Sequence, residues 1–254
     1  MDSPETWAYH WVARALGLTK NSEPMLELAR RIPLSIAKRH ADRQDQLLAL
    51  FLGTAGWLNE KPADEYQRTL KREFDHLRVK YSLTPMEPVQ WKTFRLRPGS
   101  LPILRIVQLV TLVEGIGSWS VFFNERPVLN DLRAMFKRAM PSYFCEHHAF
   151  GKKSRIQRKT IGDQMITTII VNGLVPMILF SSFRLGDQSL KEYAYELLEG
   201  MEPERNSITR EFTKMGDEPV NAMESQGMIH LKRTYCDHRK CLFCAIGNAI
   251  LKKP

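Results

Sequence analysis

Residues 164–183 run for 20 positions without a charged side chain, and this feature limits the fold more than any other. Such a stretch either spans a bilayer or forms the buried centre of a helical core. Its polar content decides between the two. Thr167, Thr168, Asn172, Gly173, Pro176, Ser181 and Ser182 are too many for a lipid-facing span. The sequence therefore predicts a buried central helix, bent near Gly173 to Pro176 where proline removes a backbone donor, and no membrane partner. Asn172, in so apolar a run, is expected to be buried and hydrogen-bonded, as a structural tie or a site residue.

The rest of the chain supplies helices to pack around that centre. In residues 63–82, Tyr66, Leu70, Phe74, Leu77 and Tyr81 recur at three- and four-residue steps, the spacing of one helical face. Residues 41–58 follow the same pattern through Leu47, Leu48, Phe51 and Leu52. Their small segment Gly53-Thr54-Ala55-Gly56 predicts close approach of a second helix. Residues 101–114, 127–140, 187–199, 204–214 and 218–232 also read as helices, and Pro127 suits a first helical turn. Alternating strand patterns are scarce. The fold class is thus all-α, a compact, mainly helical domain over residues 1–254. Two segments break the pattern. Residues 84–100 hold Pro85, Pro88, Pro98 and Gly99, and form the best internal boundary candidate. Residues 142–159 are polar and loop-like.

With 43% hydrophobic residues the chain can bury a core, which excludes a disordered polymer. Lys and Arg number 37 against 28 Asp and Glu, giving a net charge of +9. A field of that sign attracts polyanions, so DNA or RNA are the partners to test. The N-terminal residues lack the basic start and apolar stretch of a signal peptide, so the cytoplasm is the expected compartment. The four cysteines do not form the spread framework of a small secreted protein.

Three of those cysteines close the chain. Cys236, Cys241 and Cys244 lie in Cys-x4-Cys-x2-Cys spacing. The final Cys-x-x-Cys puts two thiols on one turn, and Cys236 can fold back as a third ligand. A structural zinc wants four Cys or His ligands. His238 and His230 are the near candidates for the fourth, and Cys145, His147 and His148 the remote ones. An iron–sulfur cluster is the rival reading, although its fourth cysteine would have to be the upstream Cys145. Reduced cysteines packed on a terminal helix, or a redox pair, remain open as alternatives.

Two basic segments offer contacts to phosphate. Arg95, Arg97 and Arg105 surround a Pro-Gly turn, and guanidinium forks suit phosphate or carboxylate. Lys152, Lys153, Arg155, Arg158 and Lys159 place five cations in eight positions, which can track a phosphate backbone or form a solvated loop. There is no phosphate-cradling glycine loop, no acidic pair for a two-metal nuclease centre, and no triad from Glu146, His147 and His148. No catalytic constellation emerges.

Several segments together resemble an uncharacterised bacterial family. They are Leu16-Gly17-Leu18-Thr19-Lys20-Asn21 with residues 26–34, Leu52-Gly53-Thr54-Ala55-Gly56, residues 91–105 with their Arg-x-Arg-Pro core, residues 172–180, Glu204-Arg205-Asn206, Ser225-Gln226-Gly227 and residues 235–247. The resemblance implies that this chain corresponds to a C-terminal helical part. Longer members look as if they begin with a β-rich part similar to restriction-endonuclease-like nucleases. The chain is then expected to be a fragment, a short member or one half of a split protein, serving a nuclease-like partner domain. The resemblance brings no established reaction. Three functions stand: a nucleic-acid-binding module, a protein-interaction scaffold, and an iron–sulfur enzyme of unknown reaction.

Overall fold

The computed structural model describes residues 3–154 and 160–251. The chain divides into two compact units, Met1–Arg184 and Leu185–Pro254. Both are mainly helical, and the one sheet among the described residues is a two-stranded hairpin.

In chain order the first unit contains α1 (Pro4–Leu16), α2 (Leu18–Arg31), α3 (Leu34–Lys38), α4 (Gln44–Thr54), α5 (Glu65–Lys80), α6 (Pro102–Gly115), α7 (Val121–Asn124), α8 (Leu129–Phe136), α9 (Ser142–Glu146), β1 (His147–Ala149), β2 (Lys152–Lys153), α10 (Asp163–Ile169) and α11 (Val175–Leu185), whose last turn runs up to the second unit. Helix starts follow capping rules: Ser3 accepts from Thr6 N, and Asp64 from Gln67 N. The core centres on α6, where every residue from Pro102 to Val113 is buried. Helices α1, α3 and α4 pack on it. The small segment of α4 meets a second helix as its composition predicts. A Cβ on Gly53 would sit 2.1 Å from the Phe74 ring of α5.

The charge-free stretch lies in a continuous helix, Asp163–Leu185, long and apolar enough in length and composition to cross a membrane. In the folded unit 61% of its apolar window is buried, which fits a core helix. It deforms where the sequence places Pro176. Residues Ile170–Leu174 widen into a π-turn between α10 and α11, because proline has no N–H to give to the preceding turn. The π-turn inserts an extra residue, and Asn172 emerges exposed. The expectation of a buried, tied Asn172 is corrected on this point.

The proline-rich segment 84–100 lies inside the first unit. It is tied down rather than slack: Met86 N donates to Thr54 O at 2.7 Å, and Trp91 Nε1 to Ala55 O at 2.8 Å. Residues 142–154, expected as loop, contain α9 and the hairpin.

The second unit contains α12 (Gln188–Glu199), α13 (Ser207–Lys214), α14 (Ala222–Leu231) and α15 (Ala245–Leu251). Asp187, Asn206 and Asn221 cap the first three. Helices α12 and α13 both pack on α14. Helix α14 runs on as a π-turn, Lys232–Cys236, which delivers the chain to its thiol-rich end.

Candidate nucleic-acid interface and metal centre

The Arg-x-Arg-Pro segment is a clamped surface loop. Buried Asn21, in α2, donates from Nδ2 to Lys92 O at 3.0 Å and accepts at Oδ1 from Lys92 N at 2.9 Å. Lys20 Nζ donates to Phe94 O at 3.3 Å. Trp91, 5% exposed, anchors the other end of the loop in the core. Beyond these ties the side chains turn outward. Phe94 is 77% exposed, and the Arg95 guanidinium lies over its ring, 5.1 Å from the centroid. Arg95 adopts φ +56°, a left-handed conformation that costs an ordinary residue roughly 1–2 kcal/mol. Arg97 is exposed and leads into a 3-10 turn, Pro98–Ser100. Arg105 does not join them. It is buried on α6, where Nη1 donates to Gln108 Oε1 at 2.8 Å.

The second basic segment stands on the hairpin, where Lys152 and Lys153 are exposed; Arg155, Arg158 and Lys159 lie outside the described residues. The hairpin is held by Tyr143 of α9. Its ring is stacked between Tyr66, at 4.4 Å, and His147, at 4.1 Å. Its hydroxyl donates to the Asp64 carboxylate, which also accepts Gly151 N at 2.9 Å while capping α5. Partial burial would raise the Asp64 pKa. The hydrogen bonds from Gln67 N, Tyr143 and Gly151, with the nearby His147, outweigh burial and leave it below the usual carboxylate value. Burial, then the Asp64 hydrogen bond, push Tyr143 up to about 12. His147 Nδ1 donates to Tyr143 O at 3.0 Å, which fixes the ring in its stack. Neither Asp64 nor Tyr143 stood out in the sequence. The available signal was an Asp at the start of the helical pattern in residues 63–82, a residue type that favours an N-cap.

Folding brings the anchored base of the loop and the hairpin to one cleft. Trp91, from the clamped loop, and Lys152, from the hairpin, line the same cleft, of about 260 Å³. Sequence position kept them 61 residues apart; their shared neighbours are the end of α4 and the connection to α5.

The cysteines of the second unit share one short loop. Lys240 N donates to Tyr235 O at 2.9 Å, Arg239 N to Cys236 O at 3.0 Å, and Cys244 N to Cys241 O at 3.2 Å. Arg239 takes φ +53° to make the turn. Gly247 is pressed against this loop: a Cβ there would lie 2.2 Å from Cys241 O, so only glycine fits. Cys236, Cys241 and His238 are exposed and Cys244 is buried. His230 Nδ1 is 3.3 Å from Thr234 Oγ1. Asp237 is engaged by Lys232. Among the described residues, no three His, Cys, Asp or Glu side chains converge closely enough to hold a metal ion. Cys145 belongs to the first unit, where its thiol donates to Met140 O at 3.5 Å.

The model of one protein family, described as a protein of unknown function (DUF2851), matches residues 1–207. The chain belongs to that family. No curated protein and no solved structure matches it. The DUF2851 match takes in the clamped loop, the hairpin and the cleft between them. It ends before Cys236, so the thiol loop lies outside the matched span.

Proposed function

We propose that this DUF2851 chain is a cytoplasmic nucleic-acid-binding module. The surface of Phe94, Arg95, Arg97, Lys152 and Lys153 meets DNA or RNA, and the thiol-rich ending holds a structural metal. The observation that carries the reading is the clamped loop. An exposed aromatic ring and a strained arginine persist only where the surroundings fix them, and strain of this kind clusters at binding sites. Phe94 offers a face for base stacking, and the guanidinium beside it a fork for phosphate. The net charge of +9 supplies the long-range attraction.

Fluorescence anisotropy with a labelled single-stranded oligonucleotide, across a salt series, tests this. Affinity should fall linearly on a double-logarithmic plot. Replacing both Arg95 and Arg97 by Ala should flatten the slope by about 1.4, since each phosphate contact to a single strand contributes about 0.7. Absence of binding at low salt refutes the reading.

For the metal, the donors present suit zinc: Cys236, Cys241 and Cys244 with His238 as fourth ligand. The site requires the exposed Cys236, Cys241 and His238 side chains to turn onto Cys244, and the glycine-tight turn at Gly247 supports a fixed loop. When bound, the ion would cross-link the ending. Elemental analysis after purification without oxygen should give about one zinc per chain. About four irons with visible absorption would assign an iron–sulfur cluster instead.

A partner role has its own support. Leu242, Phe243, Ile246, Ile250 and Leu251, in and before α15, are all at least 55% exposed. Exposed apolar side chains gathered on one short segment suit a docking surface, and the occupant we propose, on the resemblance to longer members alone, is a nuclease-like domain for which this chain would be the binding module.

A further inference from the structure

The cleft between the clamped loop and the hairpin has a lining that mixes aromatic and charged side chains. Half-buried Trp57 lines it, backed by the nearly buried Trp91 and Phe150, together with the charged Lys61, Lys152 and Glu60. Its walls are fixed before any ligand arrives. Buried Gln67 donates to Trp57 O at 3.0 Å and accepts Ala63 N at 2.7 Å. Lys71 Nζ donates to Leu58 O at 2.8 Å, and Trp91 is tied to Ala55. A preformed wall lowers the ordering cost of binding. The volume, about 260 Å³, is just under the roughly 300–1,000 Å³ of pockets for drug-sized ligands, so it suits one small ring system. The indole Nε1 of Trp57 is buried and lacks a hydrogen-bond partner among the described residues. Trp57 itself is one of the residues that line the cleft.

We infer that this cleft is a base-accepting pocket, which takes a single unstacked nucleobase from a strand lying across the Phe94–Arg97 loop. The inference rests on the nucleic-acid reading above and deepens it to single-stranded or frayed substrates. A nucleobase supplies a π-face for Trp57 and carbonyl or ring-nitrogen acceptors for its indole N–H. An exocyclic amine can donate to Glu60, and the adjoining phosphates can pair with Lys61 and Lys152. Trp91 and Phe94 are three residues apart, within about 11 Å of chain. The pocket and the exposed ring can therefore engage neighbouring nucleotides of one strand. A paired duplex base cannot reach the pocket without being unstacked.

The test compares a single strand carrying one 2-aminopurine with its duplex, on the whole chain, at fixed salt. The single strand should bind about five- to hundred-fold tighter, the range set by stacking one base on an aromatic wall, and 2-aminopurine emission should change on binding. Exposed Ala63 lines the cleft, so Ala63→Phe should fill it and erase most of the single-strand preference, with thermal melting confirming the fold. Trp57→Phe, which keeps the wall and removes the N–H, should reduce the preference in part. Equal affinity for strand and duplex, with a normal salt slope and unchanged emission, overturns the pocket and leaves the nucleic-acid reading standing. Saturable binding of adenosine monophosphate that Ala63→Phe abolishes, without any strand preference, would make the occupant a free nucleotide and also overturn it. No binding to any nucleic acid at low salt overturns both.

Discussion

Arg95 gives the sharpest way to separate a functional loop from an incidental one. Its φ of +56° costs an L-residue roughly 1–2 kcal/mol, and glycine removes that cost while adding about 0.5–1 kcal/mol of unfolded-state entropy. Arg95→Ala is the proper reference, because it too loses the guanidinium and the contact over Phe94 but keeps the strain. Arg95→Gly should therefore be about 0.5–1 kcal/mol more stable than Arg95→Ala. At about 2–4 °C per kcal/mol for a domain of this size, it should melt about 1–4 °C higher. Oligonucleotide affinity should move the other way. Both variants lose one phosphate contact, a slope change of about 0.7. The glycine variant should bind more weakly than the alanine variant as well, because the loop no longer holds Phe94 in one place. Thermal melts and anisotropy on the same preparations read both quantities. A glycine variant that melts at or below the alanine one, or two variants that bind like the parent, would refute the argument that this strain is kept for binding.

Two further perturbations probe what holds the surfaces in place. Asp64→Ala removes a helix cap worth about 1 kcal/mol and the acceptor for Tyr143 and Gly151; together these should cost about 2–4 kcal/mol, seen in a urea melt. The sign with pH follows from the lowered Asp64 pKa: its stabilisation is complete above the unfolded carboxylate value and fades as pH falls through the lower folded value. Asp64→Asn, which keeps a capping oxygen, should abolish that share of the acid sensitivity, checked by melts at pH 7 and pH 3. In the thiol loop, Gly247→Ala should lower metal per chain and destabilise the ending, since its Cβ meets Cys241 O. Gly227→Ala, with open space around it, is the matched control, and equal metal content in the two would remove the case for a fixed loop.

Helix positions were legible because burial on one face leaves a periodic trace. The expected helix at residues 63–82 is α5, Glu65–Lys80, and that at 101–114 is α6, Pro102–Gly115. The same trace misled where it stopped being one-sided. Helix α6 is buried all round, so Arg105 had no polar face to emerge on, although its neighbours in sequence, Arg95 and Arg97, are exposed. Asn172 was misread for the converse reason: the π-turn before Pro176 breaks the 3.6-residue register, which no periodic reading anticipates. The hairpin was invisible because long-range partners hold it. Tyr143 is 77 residues from Tyr66 and 79 from Asp64, and nothing local in a polar segment announces them.

The candidate interface has an economy that bears on how it could be dissected. Each of its two basic surfaces takes a polar anchor from a neighbouring helix, Asn21 of α2 for the loop and the α5 cap Asp64, with Tyr143, for the hairpin. Neither anchor contributes a positive charge, and neither needs to touch a ligand. The residues that would touch one, Phe94, Arg95, Arg97 and Lys152, contribute little to the core. Shape and charge are therefore carried by different residues. Loss of an anchor should weaken every nucleic acid to a similar degree through loop disorder, leaving the number of phosphate contacts in the surviving complex, and hence the salt slope, close to that of the parent. Loss of a contact residue should instead lower the slope itself.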